Sequence, residues 1–229
     1  MSVNVNTVYQ RVLAITNKEQ RGYITPQEFN YMANQAQLDI FEQYFYDSNQ
    51  FARIPGNSTE YSDMLDILEE KISLFEKVDQ TVTGGITLPS DLYRLGSILY
   101  DGVEAEHVTQ KDWLYIKKSP LSQPSKDFPI YVRDSEANAI KVYANSLTSE
   151  ETTLVKCNYV KTPANVNWAY DSTTGLYDAG NSTNFELHAS EETELVIKIL
   201  ALAGIVLKDP GLYQIGSAEE VKSVQQEKA

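Results

Sequence analysis

The chain has 229 residues, of which 42% are hydrophobic and 10% aromatic, so it can bury a core as one large or two small domains. Its formal net charge of −13 excludes nucleic-acid binding through a general basic field, because phosphate would be repelled. The single cysteine, Cys157, excludes an intrachain disulfide, and its place within a predicted strand favours a buried small hydrophobe over a reactive thiol.

The first two predicted elements are helices. In residues 6–16 apolar side chains recur every three or four positions, which predicts one buried helical face. The second helix has the clearest start in the chain. Thr25 is its predicted N-cap, Pro26 takes the first helical position, and Glu28 completes a capping box with Thr25. Large apolar residues then continue at helical spacing, and we expect this helix to reach Asp47.

A third predicted helix is followed by strands. The helix covers residues 61–76, after which the period of the apolar residues changes. Asp101-Gly102 predicts a tight hairpin turn, whereas residues 106–113 predict a helical turn or a loop. Roughly five short segments predict strands, and their spacing indicates a small antiparallel sheet or sandwich. These segments are residues 86–89, 92–100, 129–132, 139–144 and 154–160.

The segment after the last predicted strand ends the backbone hydrogen bonding of the sheet. Pro163 has no backbone donor, so it stops the strand, and Trp168 follows on the exit loop. Trp168 is a candidate anchor, either at the sheet edge or as a possible subunit contact. The polar loop over residues 171–184 does not match the oxygen spacing of an EF-hand, so we do not expect it to bind calcium.

The last predicted helix is the most apolar element. Ser190 is its predicted N-cap, and residues 195–207 are apolar nearly all round apart from Lys198. This run is too short for a membrane span, which needs about 20 residues. The N-terminus does not resemble a secretory signal, so we expect synthesis in the cytoplasm. The polar segment 209–229 is a predicted C-terminal tail with few apolar anchors.

These elements predict an α+β fold, a four-helix bundle with an inserted small antiparallel β domain and an extended C-terminal tail. Three N-terminal helices in residues 1–76 would pack with the hydrophobic C-terminal helix in residues 185–208. The inserted β-sheet or sandwich domain would span residues 77–184, and the tail residues 209–229. A bundle is expected because the last helix is too apolar to remain uncovered by the first three.

Residues that could carry chemistry are sparse. His107 and His188 are the only histidines, and neither has metal-ligand spacing to a second ligand. Gly84-Gly85 lacks the Lys-Ser/Thr of a phosphate loop, and no Gly-x-Ser-x-Gly motif occurs. We expect no catalytic, metal-binding or cofactor-binding residues, no cofactor and no enzymatic activity. A hydrolase built from two distant carboxylates remains an alternative.

Three stretches, which are residues 88–95, residues 159–163 with Trp168, and residues 195–213, resemble parts of the head–tail connector or tail-adaptor proteins of short-tailed bacteriophages. Residues 88–95, Leu-Pro-Ser-Asp-Leu-Tyr-Arg-Leu, are similar to the start of the β part of such proteins. Residues 159–163, Tyr-Val-Lys-Thr-Pro, with Trp168 after them, are similar to the strand that returns toward the last helix. Residues 195–213 are similar to the closing helix, which ends in Asp-Pro-x-Leu-Tyr. The Asn- and Tyr-rich composition also suggests the crAss-like phages, in which such subunits form ring proteins below the portal.

The resemblance implies a structural virion protein of the tail and neck region. It would be one subunit of a ring, expected to be dodecameric, that joins the portal to the tail and forms part of the DNA channel. The implied partners are further copies of the chain, the portal protein and the next tail or ring protein. DNA would pass through during genome ejection without specific binding, and no membrane would be contacted.

In such adaptors a C-terminal extension often reaches the portal. The resemblance therefore makes the apolar residues of the tail candidates for binding the portal or the tail segment, namely Leu212, Tyr213, Ile215, Val221 and Val224. We expect residues 209–229 to be disordered in the isolated subunit and to order on the portal. The alternatives are another phage tail component, such as a tail terminator or hub subunit, or an oligomeric scaffold outside phages. A tail-associated hydrolase is the enzymatic alternative.

Overall fold

The chain forms two compact units in the computed structural model. One unit, Phe75–Thr162, contains the strands, and we call it the sheet unit; Met1–Leu74 and Pro163–Ala229 form the other, the helical unit. Residues 163–184, which the sequence analysis assigned to the β domain, therefore belong to the helical unit. The structure describes residues 2–16, 24–51, 64–119, 121–134, 138–145, 150–171, 173–206, 213–214, 216–218 and 221–222.

The helical unit is built on a long central helix. Its helices are α1 (Val5–Thr16), α2 (Pro26–Phe51), α3 (Met64–Ser73), a 3₁₀ helix (Ala189–Glu191) and α5 (Glu192–Val206). Helix α2 packs against α3 and α5, and α1 packs against α5. The largest fully buried side chains of this unit form its core and include Phe29, Ile40, Phe41, Phe185, Leu187, Leu195 and Ile199. No helix in the described part of the chain is both long and apolar enough to cross a membrane.

The predicted start of α2 is confirmed. The backbone N–H of Thr25 donates to Glu28 Oε2 at 2.8 Å, and the backbone N–H of Glu28 donates to Thr25 Oγ1 at 3.3 Å. This reciprocal pair is a capping box, which satisfies two donors that the first turn would otherwise leave free. The helix continues beyond the expected Asp47 to Phe51. Helix α3 ends at Ser73, earlier than predicted, and residues 61–63 lie outside the described ranges.

The sheet unit contains a six-stranded sheet in the described residues. Its strands are β1 (Glu76–Thr81), β2 (Leu92–Tyr100), β3 (Val103–His107), β4 (Ile130–Arg133), β5 (Ile140–Tyr143) and β6 (Val155–Lys161), with α4 (Gln110–Ile116) between β3 and β4. The strand order is β1-β6-β2-β3-β4-β5. The β3–β4 pair is parallel, whereas the other neighbours are antiparallel. Cys157 is fully buried in the core of this sheet, as predicted.

The turn between β2 and β3 is the predicted hairpin. Asp101 has φ 50° and Gly102 has φ 83°, the two positive angles that a type I′ turn requires. Its twist matches that of the flanking strands, so Tyr100 pairs directly with Val103. This local prediction is confirmed.

Strand β1 lies at one edge of the sheet and is exposed along its whole length. Its pairing with β6 shifts register between Lys77 and Gln80, which marks a bulge. Within the bulge Asp79 has φ 57°, and its backbone N–H donates to Asn158 Oδ1 at 2.8 Å. The bulge therefore bends the outer strand while the side chain of β6 satisfies the displaced donor.

The predicted fold class, a four-helix bundle with a small antiparallel insertion, is wrong. The fold is α+β, but its sheet is mixed, has six strands among the described residues and curls into a half-barrel. Strand β1 has no buried face, so its sequence shows no apolar alternation, and the prediction placed Glu76 at the end of a helix and no strand over residues 77–81. Of the helical turn or loop expected over 106–113, residues 106–107 end β3 and residues 110–113 begin α4, which lies in the crossover between the parallel strands β3 and β4. The strand expected over 86–89 is absent; Thr87 instead follows a turn and forms isolated bridges with Thr83 and Ala139.

Candidate partner-binding groove

An extended segment, residues 164–168, lies against α2 and is held by side-chain amides. Asn34 Oδ1 accepts from the backbone N–H of Val166 at 2.8 Å, and Asn34 Nδ2 donates to the Val166 carbonyl at 3.0 Å. Asn30 Oδ1 accepts from the backbone N–H of Trp168 at 2.8 Å, and its Nδ2 donates to the Trp168 carbonyl at 3.3 Å. Each asparagine therefore takes the place of a neighbouring strand on the side of this backbone that faces α2, whereas Asn167 pairs with Thr183 on the other side.

Gln37 adds a third step to this arrangement. Its Nε2 donates to the Ala164 carbonyl at 2.8 Å, and its Oε1 accepts from the backbone N–H of Glu186 at 3.1 Å. The three amides are four and three residues apart on a helix that rises about 1.5 Å per residue. Two residues of extended chain span roughly 6.6 Å, close to the roughly 6 Å of helix between Asn30 and Asn34. We call the three side chains, Asn30, Asn34 and Gln37, the amide ladder.

The amide ladder fixes Trp168 within an aromatic cluster. The Trp168 ring centroid lies 4.2 Å from that of Tyr9, 6.1 Å from Tyr170 and 5.8 Å from Tyr177. Its indole Nε1 donates to Asn6 Oδ1 at 3.1 Å, so the polar edge of the ring is also satisfied. The Trp168 side chain is buried inside the helical unit. Its suggested role as a subunit contact stays a prediction. The neighbouring ring of Tyr170 is far more exposed to solvent than that of Trp168.

An open groove of about 560 Å³ runs beside this cluster. Tyr170 is 52% exposed and Leu176 is 70% exposed, so the groove presents apolar surface to solvent. Aromatic side chains of this kind are enriched in protein–protein interfaces, because they bury much area and lose little conformational freedom. We call it the aromatic groove, and its main lining residues are Tyr9, Pro26, Trp168, Tyr170, Leu176 and Tyr177.

Two carboxylates stand beside the aromatic groove. Asp171 Oδ1 accepts from the backbone N–H of Thr173 at 2.7 Å, and this bond lowers the pKa of Asp171. Asp178 accepts from the side chain of Asn181 at 2.6 Å and from the backbone N–H of Gly180 at 2.9 Å. The bond from Asn181 is the larger cause of the lowered pKa of Asp178. Both groups are therefore charged at neutral pH, and we call them the acidic rim.

The acidic rim and the aromatic groove belong to one continuous surface. A second open hollow is lined by Asp171 and Asp178 and shares Tyr170, Leu176 and Tyr177 with the groove. Within the described residues, no group of three His, Cys, Asp or Glu side chains is placed to hold a metal ion. The surface therefore combines aromatic area with negative charge, which suits an apolar and basic protein partner.

The candidate residues of the C-terminal tail are described only in part. Tyr213 is 46% exposed and Val221 is 56% exposed, so both offer apolar area to solvent. Leu212, Ile215 and Val224 lie outside the described residues. Binding of the portal or tail segment by these five residues stays a prediction.

Sequence reasoning missed the amide ladder and the groove. The apolar stripe of α2 was recognised, but the amides at positions 30, 34 and 37 follow the same helical spacing. Polar residues that share the period of a buried stripe indicate buried hydrogen bonds, and here Gln37 is only 1% exposed. The partner segment could not be identified from this signal, because it lies more than a hundred positions away along the chain.

Comparisons with known proteins identify no family. No protein-family model matches the sequence, and no curated protein matches it. Its function is therefore inferred from the aromatic groove, the surface charge and the resemblance of the stretches described above.

Proposed function

We propose that the chain is a structural subunit of a ring that joins the portal of a short-tailed bacteriophage to its tail and forms part of the DNA channel. The resemblance of residues 88–95 and 159–163 to adaptor proteins supports this proposal. Residues 88–95 lead into β2, and residues 159–163 end β6 where the chain returns to the helical unit. Both stretches thus lie side by side at one end of the β2–β6 pair, where Leu92 pairs with Lys161 and Leu95 with Tyr159.

The aromatic groove is the observation that carries the proposal. Its rings are held by hydrogen bonds and stacking within the chain, while Tyr170 and Leu176 remain open to solvent. A rigid, partly exposed aromatic surface loses little entropy when another protein covers it. This is the property expected of a subunit that docks repeatedly in an assembly.

The charge of the chain is consistent with a passage for DNA. A ring of subunits with a formal net charge of −13 each would present a weakly repulsive lumen, through which DNA slides instead of adhering. A lumen lined by Lys or Arg in the assembled ring would contradict this part of the proposal.

Assembly with the portal tests the proposed function. The purified chain would be mixed with the portal protein of the phage that encodes it, and the complex measured by native mass and negative-stain imaging. We expect a ring stacked on the portal, and roughly tenfold weaker binding for the Y213A/V221A variant. The matched control is Y31A, because Tyr31 is 68% exposed but lies on α2 away from the tail sequence.

Two results would overturn the proposal. The first is a portal sample whose mass does not change when the chain is added at high concentration. The second is release of soluble fragments from peptidoglycan by the purified chain, which would favour the tail-associated hydrolase.

A further inference from the structure

The sheet unit carries an apolar surface on and after α4. Trp113 and Ile116 pack inward, and the Trp113 ring stacks on Tyr143 with centroids 4.2 Å apart. The outward side of the same helix and the loop after it also expose large apolar side chains. We call these exposed residues the α4 patch; they are Leu114, Tyr115, Leu121 and Phe128, which are 61%, 64%, 97% and 78% exposed.

Hydrogen bonds fix the backbone at both ends of the segment that carries the α4 patch. Thr109 caps α4, its Oγ1 accepting from the backbone N–H of Asp112 at 3.2 Å. At the end of the loop the backbones of Ser125 and Phe128 exchange hydrogen bonds of 3.3 and 3.2 Å. A surface fixed in this way can bind without a large ordering cost. Exposed apolar clusters of this kind mark interaction sites more often than scattered single residues do.

The charge around the α4 patch is opposite to that of the chain. Residues 110–128 contain four lysines and two aspartates, whereas the chain as a whole carries −13. The cations stand directly beside the apolar residues in the sequence, as in Tyr115-Ile116-Lys117-Lys118. This combination complements the acidic rim and the aromatic groove, which offer carboxylates beside aromatic rings. Lysines can also lie over aromatic faces, which adds a further favourable contact.

We propose that the α4 patch of one copy docks in the aromatic groove of the next copy. The partner is thus a second copy of this chain, and the inference rests on the proposed function, because a ring requires such a contact. The two surfaces differ and belong to different units, so the contact is head-to-tail. A head-to-tail contact repeats around the assembly until the ring closes.

The parts of this interface have different roles. Leu121 and Phe128 are the residues that would insert beside Tyr170 and Leu176, removing apolar area from water. Lys117 and the other lysines of residues 110–128 would approach the acidic rim at the edge of the contact. Exposed ion pairs add little affinity, but complementary charge speeds association and selects the orientation. We therefore expect assembly to slow at high salt while the apolar contact persists.

Disulfide trapping tests this contact directly. The chain has one native cysteine, Cys157, which is buried and gives a low background. We expect Leu121→Cys mixed with Leu176→Cys to form one-to-one disulfide dimers under mild oxidation, and the double variant to form a ladder of higher multimers. In the control, the Leu176→Cys variant is mixed with a Val78→Cys variant, whose thiol lies on the exposed edge strand β1. We expect the control pair to cross-link roughly tenfold more slowly.

A second experiment uses variants that each break one side of the contact. The patch variant L121S/F128S and the groove variant Y170S/L176S should each fail to self-associate in mass measurements. Mixed together they retain one intact patch and one intact groove, so they should form dimers and stop there. The charge variant D171N/D178N keeps oxygen acceptors for the loop but removes the acidic rim, and we expect slower association.

The results also separate this inference from the proposed function. Cross-linking no faster than in the control, or disulfides formed only within one molecule, would overturn the inference. If the portal complex still formed in that case, the proposed function would stand with a different subunit contact. Conversely, specific cross-linking by a chain that does not bind the portal would support the contact and contradict the portal role.

Discussion

The indole Nε1 of Trp168 donates a hydrogen bond to Asn6 Oδ1 at 3.1 Å, although the two residues lie 162 positions apart. The bond joins the first turn of α1 to the segment that follows β6. Together with the stacking of Trp168 on Tyr9, it ties the N-terminal helix to the loop that forms the aromatic groove. The groove therefore depends on the packing of the helical unit.

Replacing Trp168 tests this dependence. We expect Trp168→Ala to lower the free energy of unfolding by about 3–5 kcal/mol, because a large buried ring is lost and a cavity remains. Trp168→Phe keeps an aromatic ring, so it should lower the free energy of unfolding by less than Trp168→Ala. Loss of the hydrogen bond to Asn6 should contribute about 1–2 kcal/mol to that decrease. Urea unfolding followed by circular dichroism measures both. A loss below about 0.5 kcal/mol for the alanine variant would show that the cluster does not stabilise the unit.

The amide ladder predicts a loss of stability at Asn34. Its side chain makes two hydrogen bonds to the backbone of Val166, so Asn34→Ala should cost about 2 kcal/mol. The control is Asn49→Ala, on the same helix, because Asn49 donates only to the carbonyl of Phe45 at an exposed position. We expect the control to stay within about 0.5 kcal/mol of the parent chain in the same unfolding assay. Equal effects of the two substitutions would contradict the ladder.

A buried ion pair gives a third prediction. Lys71 Nζ lies 2.7 Å from Glu191 Oε1, and the Glu191 side chain is only 5% exposed. Lys71→Met alone should cost about 3–5 kcal/mol, because it leaves a buried carboxylate without its cation. The double variant K71M/E191L removes both charges and should recover most of that loss. Chemical unfolding of the two variants separates the outcomes, and a double variant as unstable as the single one would refute the explanation.

Tyr159 predicts a loss of stability at alkaline pH. Burial, with the hydrogen bond to Asp91 at 2.9 Å, raises the pKa of Tyr159 from 10.0 to about 12. The unfolded chain therefore releases this proton first, so the free energy of unfolding should fall as pH rises from about 10 to about 12. Tyr159→Phe should make that decline shallower. Some slope should remain, because burial also raises the pKa of Tyr100, Tyr131 and Tyr143.

The measurement for Tyr159 is urea unfolding at several pH values, combined with titration of phenolate absorbance in the folded chain. An identical alkaline slope for the parent chain and Tyr159→Phe would show that another group controls the decline.

Features set by neighbouring residues could be predicted from the sequence. The capping box at Thr25 and the hairpin at Asp101-Gly102 follow local rules, since the side chain or the positive φ decides the conformation within a few residues. The burial of Cys157 also followed, because the alternation of its strand indicates which side faces the core.

Features set by distant residues could not be predicted. Strand β1 carries no apolar alternation, and it is a strand only because β6 pairs with it. The amide ladder likewise forms only because residues 164–168 pack against α2. The sequence of α2 does not predict which segment its amides will bind. The parallel β3–β4 pair depends on the crossover through α4, a short helix whose cap at Thr109 was not recognised.

The bulge in β1 has a consequence for how copies of the chain can meet. An exposed edge strand normally offers its free backbone groups to a strand from another molecule, which leads to continuous sheets and aggregation. In β1 the left-handed conformation of Asp79 interrupts the straight run of backbone donors, and Glu76 and Lys77 place charges beside it. This edge is thereby protected against strand addition. In the proposed ring, copies of the chain would therefore meet through side chains and not through a continuous sheet at this edge.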